Sequence, residues 1–157
     1  MNEMQKLRKI FLLKLYEITE GDKWNLTTYI RIANLLQLDE KVARRIADYL
    51  HDKGLIEILT LDGSIQITVY GVDEAEEILG DKNTIIESKE LREKLAEIEH
   101  QLQMLSLGQE VIFNEIDRKF SNVDKISAKD FKSIIISVLL SKGLNAIELA
   151  QIFDFIE

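Results

Sequence analysis

The sequence predicts a mostly α chain carrying one small β-hairpin, an α+β fold, and three observations predict it. A short amphipathic segment over residues 27–38 is followed by a second that opens at Asp39 and stops at Gly54. Two alternating runs flank Asp62-Gly63, a pair that tolerates positive φ and so favours a tight hairpin turn. From Leu91 onward the apolar residues step by four and three, the period of a long helix with a continuous seam.

Taken in order, residues 4–20 carry Leu7, Ile10, Phe11, Leu15 and Ile18 at helical spacing, and Gly21-Asp22 stops that helix. Lys23-Trp24-Asn25-Leu26 is apolar at alternate positions and is expected to supply a small edge strand, with Trp24 in the core or at a domain junction. Thr27 or Thr28 caps the next helix, because a hydroxyl there accepts from an otherwise unpaired first-turn amide. Ile30, Ala33 and Leu36 are its packing face. Asp39 caps the following helix, whose inward face is Val42, Ala43, Ile46, Ala47 and Leu50. The outward face presents Lys41, Arg44, Arg45, Asp48 and Asp52, and Gly54 provides the left-handed stop. Residues 55–60 and 64–69 are the two strands of the hairpin, and a helix beginning near Val72 closes a first domain at Leu79-Gly80.

The second domain spans residues 81–157. Leu91, Leu95, Ile98, Leu102, Leu105, Ile112 and Ile116 form the seam of a helix over residues 84–120, which would reach roughly 55 Å at 1.5 Å per residue. The stripe is expected to support a homodimer, the other reading being an intramolecular bundle with the last two helices. Gln109 puts a polar group on the seam, and Gly108 disfavours a helix interior by about 1 kcal/mol, so a break near Leu107-Gly108 is foreseen. Ser127 and Asn145 cap the two final helices, the first with Phe131, Ile134, Ile135, Val138 and Leu139 on one face, the second with Ile147, Leu149, Ile152, Phe153 and Ile156.

Composition narrows the function. The chain has 157 residues, 46% hydrophobic and 31% charged, enough for an ordinary core. No apolar run approaches the roughly 18 residues of a membrane span, and no secretory cleavage pattern opens the chain, so a cytoplasmic protein is expected. With no cysteine and only His51 and His100, far apart, neither thiolate nor histidine metal chemistry is expected. No phosphate loop, dinucleotide fingerprint or nucleophile elbow is present, so neither an enzyme nor a cofactor is foreseen. The net charge of −8 divides evenly, because each domain holds 10 Lys and Arg against 14 Asp and Glu. A polyanion partner would therefore require cations gathered on one face.

The first half resembles the winged helix-turn-helix superfamily of bacterial and archaeal transcription regulators. The resemblance is carried by Ile32-Ala33, residues 35–39, Val42-Ala43, residues 49–56 (Tyr-Leu-His-Asp-Lys-Gly-Leu-Ile), residues 62–68 and residues 71–76. It covers about half of the chain, and the second half resembles in general form the helical extensions through which such regulators dimerise. By position, the resemblance implies that Glu40, Lys41, Arg44 and Arg45 face the major groove, with Thr27, Thr28 and Tyr29 near phosphates. Arg44 and Arg45 are the candidates for base reading, since a guanidinium can pair two donors with guanine. The wing departs from the superfamily's usual chemistry, because Leu61-Asp62-Gly63-Ser64 offers an anion and no cation. The expected function is thus a homodimeric DNA-binding transcriptional regulator with double-stranded DNA as partner and no membrane contact. The alternative is a winged-helix adaptor that binds another protein and no DNA.

Overall fold

The computed structural model describes residues 1–105 and 109–156. The chain is mostly helical with two small antiparallel sheets. It divides into two compact units, Met1–Ile78 with Asn145–Ile147, and Leu79–Leu144 with the residues from Glu148 onward.

In the first unit, helix α1 (Glu3–Thr19) starts from a capping box in which Asn2 and Gln5 exchange side-chain to backbone bonds of 2.8 and 2.9 Å. Its apolar stripe is fully used: Leu7, Ile10, Phe11, Leu12 and Leu15 are all at most 3% exposed. The helix ends in left-handed Glu20 and Gly21. The next four residues are not a strand. The Asp22 carboxylate accepts from the Trp24 amide at 2.9 Å and the Asp22 carbonyl from the Asn25 amide at 3.1 Å, so the turn uses amides that a ladder would need. Strand β1 comes afterwards, at Thr27–Thr28, and Trp24 is 76% exposed rather than in the core.

Helix α2 (Tyr29–Leu36) buries Ile32, Ala33 and Leu36. Ile30 was expected on that face but lies two positions, about 200°, from Ile32 and is 36% exposed. Gln37 takes positive φ and turns the chain into α3 (Glu40–Asp52). Strands β2 (Ile56–Ile58) and β3 (Ser64–Ile67) form the hairpin, with β3 central in the order β1-β3-β2 and Ile65 opposite both Thr27 and Ile58. Ile56, Ile65 and Ile67 are completely buried, each stabilising the unit by about 1.5–3 kcal/mol.

Helix α4 (Val69–Leu79) begins three residues earlier than Val72, because Thr68 caps it: its hydroxyl accepts from the Gly71 amide at 3.0 Å and donates to the Gly54 carbonyl at 2.7 Å. This junction leaves no room for a side chain at Gly71. A β-carbon there would lie 2.1 Å from the Leu55 carbonyl oxygen, which also accepts from Thr68 N at 3.1 Å. Gly71→Ala is therefore expected to destabilise the unit by about 3 kcal/mol, the upper end for overpacking because the obstacle is backbone, read as a lowered urea midpoint.

In the second unit, β4 (Ile85–Glu87) leads into α5 (Ser88–Met104), and after α6 (Gln109–Phe120) comes β5 (Lys125–Ser127), then α7 (Ala128–Ser141) and α8 (Ala146–Ile156). Strands β4 and β5 pair antiparallel with Ile86 opposite Ile126, a sheet that local patterning did not foretell. The single helix over residues 84–120 is replaced by a strand and two helices; the foreseen break at Leu107-Gly108 and the seam position of the Gln109 side chain lie outside the described residues. Ser127 caps α7 as expected, accepting from Asp130 N at 3.1 Å.

The seam residues are buried within one copy of the chain. Leu91, Ile98, Leu102 and Ile116 are 0% exposed, Leu95 and Ile112 are 4% exposed, and Leu105 is half-buried. Helix α5 packs on α6, and α6 on α7, with the Phe120 and Phe131 rings 5.7 Å apart. A stripe that neighbouring helices of the same chain cover leaves a second copy little apolar surface there unless the helices part. Within one chain these residues thus take the form of the second expectation, an intramolecular bundle, and a role for them in self-association stands as a proposal that the concentration dependence of unfolding tests.

Candidate nucleic-acid interface

The outward face of α3 follows from its cap and its buried stripe. Asp39 accepts from Lys41 N at 2.8 Å, and Ala43, Ile46, Ala47 and Leu50, at most 2% exposed, bind the opposite side of the helix to the core. Lys41, Arg44 and Arg45, at i, i+3 and i+4, are thereby turned outward together and are exposed. Among the described residues, no hydrogen bond or ion pair engages any of the three side chains, although Asp48 is one helical turn beyond the arginines. Glu40 is also exposed, in the first turn, where a carboxylate complements the helix dipole. Arg31 of α2 is a further exposed cation of the helix pair, which the pattern of α3 alone did not single out.

The residues expected near phosphates have other work. Thr27 is 7% exposed and its hydroxyl oxygen is buried with no partner among the described residues, so it offers almost no surface to a backbone phosphate. The Thr28 hydroxyl caps α2, accepting from Arg31 N at 3.1 Å. Tyr29 donates its amide to the Gly63 carbonyl at 3.1 Å, and its ring fills the space beside Gly63, where a β-carbon would lie 2.4 Å from Cε1. All three secure the hairpin turn to the start of α2, Thr27 and Thr28 by pairing with β3 and Tyr29 through its amide and ring.

The hairpin tip itself is anionic and apolar. The Thr60 hydroxyl bonds to the Asp62 carboxylate, and this bond first, then those from Ser64, holds the carboxyl below its ordinary value of 3.8. Leu61 beside it is fully exposed, and residues 59–64 contain no cation. The tip therefore stays ionised through the neutral range and repels phosphate. His51 is exposed, its Nδ1 3.6 Å from the Asp52 carboxylate.

Among the described residues, no group of three or more His, Cys, Asp or Glu side chains could hold a metal ion. No helix of the described residues is long and apolar enough to cross a membrane. Comparison with protein families, curated proteins and solved structures finds no match to the chain.

Proposed function

We propose that the first unit is a winged helix-turn-helix that binds double-stranded DNA, with α3 entering the major groove, and that the protein regulates transcription. The observation that carries this reading is the set of Lys41, Arg44 and Arg45: exposed on one helix face and joined to no carboxylate among the described residues, in a chain with eight more acidic than basic residues. Unpaired surface cations are free to release counterions when they meet phosphate, and a guanidinium can also read guanine. The order β1, α2, α3, β2, β3 supports it, since the short connection between α2 and α3 sets the second helix as the exposed one. In this reading the anionic tip stays off the duplex, and recognition rests on the helix. A homodimer on a palindromic operator would need a surface other than the buried stripe of α5 and α6.

The exposed Leu61 and Trp24, with the ionised Asp62, favour the second reading, a winged-helix adaptor that docks a protein. A salt titration of duplex binding separates the two. Three cationic contacts predict a slope of log affinity on log salt near −3, at about −0.9 per neutralised phosphate, whereas absence of binding even at low salt selects the adaptor.

A further inference from the structure

The first unit also carries an open groove of about 690 Å³ between α1, the C-terminal end of α3 and α4, and none of Lys41, Arg44 and Arg45 lines it. Its floor is apolar and firm: Leu12, Leu50 and Ile78 line it and are at most 8% exposed. One side is cationic. The Arg8 guanidinium carbon lies 3.6 Å from the centre of the Tyr49 ring, and Lys53 Nζ lies 5.6 Å from the same ring. Lys9 adds a third positive charge to the lining against the single acid Glu74.

Arg8 is the anomaly. In a chain rich in acids, its half-buried side chain makes no hydrogen bond or ion pair among the described residues, and its Nε is buried with no acceptor. A buried donor left without an acceptor is costly, and stacking on Tyr49 fixes the guanidinium without satisfying its N–H groups. The acceptor that fits a guanidinium fork is a carboxylate, bonded through two parallel N–H···O contacts. We propose that this groove binds a small organic acid, its carboxylate held by Arg8 and Lys53 and its apolar body lying on Leu12, Leu50 and Ile78. The volume falls within the roughly 300–1,000 Å³ of small-molecule sites, and an apolar floor offers nothing to a bare phosphate or a nucleic-acid backbone. This site does not depend on the DNA reading, because its evidence lies wholly in other side chains.

The test is an amide-resolved NMR titration of the full chain with sodium benzoate, with benzamide and inorganic phosphate as comparisons. Saturable shifts centred on Arg8, Tyr49 and Lys53 are expected with benzoate and not with benzamide. Arg8→Met, which keeps an apolar stem against Tyr49, is expected to weaken benzoate at least tenfold; Lys53→Met, at an exposed position that does not endanger folding, is expected to weaken it severalfold. Absence of saturable shifts, or shifts that neither substitution changes, overturns the site. Phosphate binding as tightly as benzoate overturns the apolar-body assignment.

Discussion

Replacing both Arg44 and Arg45 with glutamate is expected to lower duplex affinity by about two to four orders of magnitude, each lost base or phosphate contact being worth about 1–3 kcal/mol and the new carboxylates adding repulsion. Both side chains are exposed and unpaired among the described residues, so the far-UV circular dichroism and the unfolding midpoint are expected to stay within the small range of surface substitutions. The paired change Arg44→Lys with Arg45→Lys refines the result. It keeps the charge and removes the bidentate fork, so it should leave the salt slope near its starting value while narrowing the gap between specific and random duplexes. Equal affinity of the wild type and the double glutamate variant, measured by fluorescence anisotropy, would remove α3 from the interface and leave the adaptor reading.

Ile98→Ala is expected to cost about 2–5 kcal/mol, because Ile98 is completely buried and truncation leaves a cavity that its neighbours fill only in part. The informative part is the concentration dependence. If the stripe is satisfied within one chain, the thermal midpoints of wild type and variant should not move across a hundredfold change in protein concentration. A seam shared between two copies would make both midpoints fall on dilution, since association stabilises by mass action. Midpoints that drop on dilution would restore the intermolecular coiled coil.

Much of the first unit was legible from residue order. Asp39 and Thr28 cap where hydroxyl or carboxylate oxygens can reach free amides, Gly54 takes its positive φ, and Asp62-Gly63 lies in the hairpin turn, all of which are contacts within a few residues. The outward set of Lys41, Arg44 and Arg45 was legible for the same reason, because helical spacing alone separates it from the buried stripe. Trp24 shows where such reasoning stops: its size suggested burial, but a local turn at Asp22 takes up the backbone and no core position reaches it. Thr27 shows the opposite failure, a polar residue next to a predicted contact face that pairing with β3 places inside.

By itself, the sequence determined the mainly helical class, the caps and the hairpin turn, because these depend on spacing and on bonds between near neighbours. It also determined which cations share the outer side of α3. Only the tertiary structure decided what the stripe from Leu91 to Ile116 does, since a heptad pattern records that apolar groups must be hidden and says nothing about whether a second chain or the same one hides them. It likewise decided that Thr27, Thr28 and Tyr29 anchor the hairpin, and that Arg8 meets Tyr49 from 41 positions away with its guanidinium Nε left without an acceptor among the described residues. Those outcomes come from long-range packing, where free energy depends on which surfaces meet.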